Sequence, residues 1–130
     1  MPKTMHYRGD SRPFAHMFFF QLCDTSPELL RRFIELCRKY LGGHPGQDHF
    51  SVGIRALEIN RPVSGTNFVV SVHMIFRNKA AFDEYSESPT HEDFITKSAG
   101  MSPIRIVYDS YLELAVLPDA NEPKRKTRRA

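Results

Sequence analysis

The sequence predicts an α+β fold, a four-stranded antiparallel sheet with helices packed on one face, in the order strand, helix, strand, strand, helix, strand. Three observations carry this reading. Short aromatic and β-branched runs recur four times between Pro, Gly, Asn and Asp punctuation. A long stretch with apolar residues at helical spacing separates the first two runs. A second helical pattern, interrupted by Pro89, separates the last two.

Residues 14–23, FAHMFFFQLC, lie between Pro13 and Asp24 and are too short for a typical helix, which makes them the first strand. Alternation puts His16, Phe18, Phe20 and Leu22 on one face and Ala15, Met17 and Phe19 on the other, so both faces are apolar. In TSPELLRRFIELCRKYLGG, Ser26 caps a helix and Pro27 takes its first position. Leu29, Leu30, Phe33, Leu36, Cys37, Tyr40 and Leu41 then form its apolar stripe. Gly42 and Gly43 are expected to supply the left-handed conformation that ends it, and HPGQ the following turn.

In HFSVGIRALEI, 49–59, Phe50, Val52 and Ile54 alternate with polar or small residues, as a half-buried strand requires. NRPVSG turns the chain toward a third strand in TNFVVSVHMIF, 66–76. Asn78 caps a helix over 79–87, a shorter helix fits 89–98, and IRIVYDSYLELAV, 104–116, is the last strand.

This order is the split βαβ, or ferredoxin-like, arrangement. Its helices cover only one sheet face, yet the first and third strands are apolar on both, with His73 and Ile75 opposite in parity to Val70, Val72 and Met74. Soluble monomers rarely leave apolar patches larger than roughly several hundred Å² in water. The expected solution is a homodimer packed sheet face to sheet face.

The chain of 130 residues, 41% of them apolar, has the size of one domain, and its ten Phe and five Tyr supply a core without disulfides. Cys23 and Cys37 are too far apart for a CxxC pair and too few for a disulfide framework. The first residues lack the apolar run of a signal peptide, and no later stretch approaches the ~18 apolar residues of a membrane span. These features predict a cytoplasmic protein with no membrane association.

The net charge of +3 belongs to the C-terminal end. Residues 118–130 hold five Lys or Arg against two acids, which leaves a neutral body. The expected organisation is an extension over 1–13, a domain over 14–117 and a disordered basic tail over 118–130. No aromatic residue interleaves the charges of EPKRKTRRA to stack on bases, so nucleic acid is not an expected partner.

The stretch EYSESPTHEDFI, 84–95, is the most informative part of the chain. Pro89 lacks an N–H and disfavours helical geometry at Ser88, so it ends one helix and takes the first position of the next, with Ser88 as its cap. His91 then lies in a first helical turn, where the positive end of the helix favours a neutral imidazole. Tyr85 lies in the last turn of the preceding helix, and the two side chains can flank one cavity.

Taken together, HMFFFQL opening at His16, FSVG at 50–53, VHMIFRNKAAFDEY at 72–85, SPTHEDF at 88–94 and IVYDSY at 106–111 resemble the stress-responsive A/B barrel (Dabb) family over roughly residues 14–113. The resemblance implies a ferredoxin-like subunit in a dimeric α+β barrel. The family includes a plant polyketide cyclase that works without metal or cofactor, and its acid-base tyrosine and histidine fall on Tyr85 and His91. His16 and Asp109 match polar positions that line or support that pocket. Two positions depart from the pattern: Ser88 stands where the HPxH motif begins with histidine, and Val70 where the cyclase has a further pocket histidine.

The resulting expectation is a small apolar pocket lined by Phe18, Phe20, Val72, Met74, Phe82, Tyr85, His91 and Phe94, open to an aromatic or polyketide-like ligand. In its catalytic form His91 takes a proton while the Tyr85 hydroxyl holds a developing enolate oxygen. Asp109 accepts the other ring N–H of His91, or is a solvated residue of an edge strand. Two other readings stay open, a non-catalytic stress-response dimer and a cofactorless monooxygenase of the same barrel type. No HxH pair or HExxH motif occurs among the six histidines, and LGGHPG follows a helix instead of opening one, so neither a metal nor a phosphate-bearing cofactor is expected.

Overall fold

The computed structural model describes residues 11–113, so the basic run over 118–130 and most of the N-terminal extension lie outside the described residues. Its elements are β1 (Phe14–Gln21), α1 (Pro27–Leu41), β2 (Gln47–Ile54), β3 (Val70–Phe76), α2 (Lys79–Ser86), α3 (Pro89–Ser98) and β4 (Ile104–Tyr111). The strands form one antiparallel sheet in the order β2-β3-β1-β4. This is the ferredoxin-like α+β arrangement that the element order predicts.

Register decides what the helices cover. His16 lies between Met74 on β3 and Asp109 on β4, Phe18 between Val72 and Val107, and Phe20 between Val70 and Arg105. Against this face α1 lays Leu29, Phe33, Cys37 and Leu41, one residue per turn and all buried. Phe20, Phe33 and Phe94 meet there with ring centroids 4.8, 6.0 and 6.2 Å apart, joining β1, α1 and α3. Burial in this cluster pushes the Cys37 thiol up to about 12, so it is a packing group rather than a nucleophile.

The opposite face carries Met17, Phe19, His73, Ile75, Ile106 and Tyr108, with Phe19 edge-on to Phe68, Tyr108 and His73. No described element covers it, and Tyr108 is 60% exposed.

Several expectations change, among them the last strand, which ends at Tyr111 with Leu112 and Glu113 outside it. The second strand ends at Ile54, before the expected boundary, because Ala56–Ile59 closes a turn and the Asn60 side chain bonds both Leu57 O and Arg55. Leu57 and Ile59 fall out of parity with Phe50, Val52 and Ile54, and both are exposed. The third strand begins at Val70 rather than 66. Of the two glycines after α1, only Gly43 is left-handed, at φ 80°; Gly42 is extended at φ −99°.

Gly46 is the second left-handed residue of this turn, at φ 74°, and a Cβ there would lie 2.5 Å from the Ala81 Cβ. Gly46→Ala combines an unfavourable backbone conformation with a collision against α2. It should lower stability by about 2 kcal/mol or more, read as a reduced denaturation midpoint with an unchanged slope.

Candidate functional site

Ser88 builds the break between α2 and α3 from both sides. Its hydroxyl accepts the His91 backbone N–H at 3.2 Å and donates to Tyr85 O at 2.8 Å, so one side chain caps the new helix and closes the old one. Pro89 removes the N–H that a continuous helix would need. Tyr85 and His91 are thereby turned toward each other, with ring centroids 5.0 Å apart at 64°.

Around Tyr85 stand His16 at 5.9 Å, His44 at 4.8 Å, Phe76 at 5.1 Å and Phe82 at 6.2 Å. Phe18 and Phe82 pack on His16 at 4.3 and 4.7 Å. The structure thus gathers His16, Phe18, Phe82, Tyr85 and His91 into one aromatic cluster, and adds His44. Val72 and Met74 are fully buried beneath it in β3. Phe94 packs with Phe33 and Phe20 in the core, and Phe20 also reaches the cluster through Phe18, with ring centroids 5.5 Å apart.

Asp109 also needs correction. Its carboxylate accepts the Nδ1–H of His16, the residue opposite it across β1 and β4, and not a ring N–H of His91. That bond leaves Nε2 of neutral His16 with its lone pair. The His91 ring instead faces the main chain of Ser86, which favours its protonated form.

Burial and neighbouring charge set the protonation states. Desolvation depresses the His16 pKa, opposed by the hydrogen bond and charge of Asp109. Desolvation also depresses that of His91, reinforced by His16 and His44 and opposed by Glu92 and the Ser86 backbone. The direction matches the expectation of a neutral His91, but burial and not the helix end is the largest cause. Burial raises the Tyr85 pKa well above the usual phenol range, so Tyr85 is a hydrogen-bond donor near neutral pH.

Tyr85 is only 1% exposed, and its hydroxyl has no hydrogen-bond partner among the described residues. Buried polar atoms are seldom left so. Clefts of about 420 and 310 Å³ flank α1, one against Lys97 and Met101 and one against Ile54, and include none of the expected site residues. Among the described residues no group of three His, Cys, Asp or Glu is placed to hold a metal ion, and no helix is long and apolar enough to cross a membrane.

The fold and the histidine-tyrosine cluster define a small ferredoxin-like domain with its polar groups gathered between the helices and one sheet face. The profile of the stress responsive A/B barrel domain matches residues 14–112, and the chain belongs to that family. No curated protein matches it.

Solved structures share its fold. A Dabb family protein from Mesorhizobium loti, 22% identical, aligns with a TM-score of 0.66 over 80% of this chain and 99% of its own. A dimeric ferredoxin-like protein of unknown function from Thermobifida fusca, 17% identical, aligns at 0.64 over 83% and 96%. The hydroxynitrile lyase of Passiflora edulis, 14% identical, aligns at 0.64 over 82% and 99%.

The depressed histidines predict a pH dependence of definite sign. Above the unfolded value of about 6.5 both states leave these imidazoles neutral; below it the unfolded chain binds protons that the folded chain refuses. Stability contributed by His16 and His91 should fall as pH drops from about 6.5 through their folded pKa values. The melting temperature measured in this window should decline, and His91→Asn should make the decline shallower.

Proposed function

We propose that the protein is a homodimer that binds a small apolar or aromatic molecule at Tyr85 and His91 and acts on it by cofactor-free acid-base chemistry. The observation that carries this reading is the Tyr85 hydroxyl, held protonated by burial and left unpartnered beside an imidazole that burial holds neutral. Donor and base lie on adjacent helix ends, where one small molecule can meet both.

In the proposed reaction, His91 takes a proton from a carbon next to a carbonyl, and the Tyr85 O–H donates to the carbonyl oxygen as it becomes an enolate. Positioned bases typically contribute about 10²–10⁴ in rate, and a donor aimed at developing charge about 10²–10³. Asp109 keeps the His16 ring oriented with its lone pair on Nε2. That the hydroxynitrile lyase of Passiflora edulis shares the fold lends support to chemistry on this scaffold. The near-complete closure of Tyr85 favours a second reading, a non-catalytic binding dimer.

The uncovered sheet face supports the dimer. Two copies packed there would bury Phe19, Ile106 and Tyr108 in the manner of an obligate interface. The dimeric state of the Thermobifida fusca protein supports this. Ile106→Asp should give a folded monomer by sedimentation velocity; an unshifted dimer would place the interface elsewhere.

Tyr85→Phe separates the functional from the structural reading. An unsatisfied buried hydroxyl costs about 1–3 kcal/mol, so its removal should leave the melting temperature unchanged or raised. The same variant should lose any small molecule that native mass spectrometry finds on the wild-type protein. A lowered melting temperature with the ligand retained would make the hydroxyl structural.

A further inference from the structure

The loop between α1 and β2 is fastened more thoroughly than a short connection needs. The Gln47 side-chain Oε1 accepts the N–H groups of Gly43 and His44 at 2.7 and 3.3 Å, and its Nε2 donates to Leu41 O at 2.9 Å. The Gln47 backbone N–H returns to His44 O at 3.0 Å, and Gly46 O accepts Arg77 N–H at 2.7 Å. Between these anchors one imidazole is presented: the His44 ring stands at 86° to Tyr85 with centroids 4.8 Å apart.

The hydrogen bonding of that ring decides its tautomer. His44 Nε2 lies 2.9 Å from Tyr40 O, and a carbonyl can only accept, so Nε2 carries the hydrogen. Nδ1 of the neutral ring therefore holds a lone pair. His44 and His91 are both partly exposed, and both rings pack on buried Tyr85, whose hydroxyl has no partner among the described residues. A loop anchored by five hydrogen bonds and a ring fixed by a sixth are the features of a preorganised recognition group.

We propose that His44 is a specificity-determining residue of this site, and that the ligand it selects is a small phenol or enol. The oxygen of such a molecule accepts from the Tyr85 hydroxyl while its own O–H donates to His44 Nδ1. A ketone or ether of the same shape satisfies Tyr85 but leaves Nδ1 unpaired, and sites built to pair a substrate hydroxyl discriminate against analogues lacking it. This inference rests on the ligand site proposed above.

Phenol and anisole test it, because they share a ring and an oxygen and differ in the O–H. Each is titrated into the full chain and followed by the aromatic NMR signals of Tyr85 and His44. Phenol should bind about five- to tenfold more tightly, the worth of one hydrogen bond. His44→Phe should bring the two within about twofold, and His44→Gln, which retains an acceptor, should restore part of the preference. In the wild-type protein the His44 Nδ1 resonance should move with phenol and not with anisole, a readout that needs no variant to fold. Equal affinities, a preference that survives His44→Phe, or an unmoved Nδ1 resonance with phenol bound would overturn the role of His44 and leave the ligand site standing. Failure of both probes to perturb Tyr85 would overturn the site itself and this inference with it.

Discussion

The Ser88 hydroxyl, accepting from His91 N–H and donating to Tyr85 O, is the contact on which the site depends. A continuous helix over 79–98 would advance about 100° per residue and carry Tyr85 and His91 to different faces. Breaking it at Pro89 turns the second segment, and the serine then holds the two ends in register. Serine suits this task because one hydroxyl can accept and donate at once. A histidine at this position could make the cap only through a ring nitrogen on a longer arm. The departure from the HPxH pattern is thus compatible with the geometry that brings Tyr85 and His91 together.

Burial then determines what these groups can do. Two imidazoles have their charged forms disfavoured, and the tyrosine is kept as a phenol, all chiefly by desolvation. Asp109 is the carboxylate bonded into the cluster, and it is committed to His16. The candidate site therefore gathers a phenol and imidazoles whose neutral forms burial favours. The unpartnered Tyr85 hydroxyl is the point where the fold departs from local optimisation, as functional positions tend to do.

Much of this was legible in the chain because it is local. Ser88, Pro89 and His91 lie within one helical turn, and the alternation of β1 and β3 follows from period two alone. The helix bounds at Pro27 and Pro89 were equally readable from their caps. What escaped depends on register and on loop shape. The pairing of Asp109 with His16 is a cross-strand contact between residues 93 positions apart, set by how β1 and β4 align. His44 left no periodic signal, since HPGQ reads as an ordinary turn and its ring is aimed by the Gln47 anchoring and the bond to Tyr40 O. Phe20 shares a face of β1 with His16 and Phe18, so parity alone could not say that it also packs against Phe33 and Phe94.

The two faces of the sheet are coupled through β1 and β4. His16 and Phe18 face the helices while Met17 and Phe19 face the open side, and across the edge Asp109 alternates with Tyr108 and Ser110 in the same way. The strand β4 is held by β1 on one side only, so the position of Asp109 depends on how firmly that edge is fixed. A second copy packed on Tyr108 and Ile106 would clamp β4 from the far face without touching the site. It would thereby hold the carboxylate against His16 and the His16 ring against Tyr85. The apolar face and the histidine cluster are separate in chemistry, but the pleat makes them the two sides of one support.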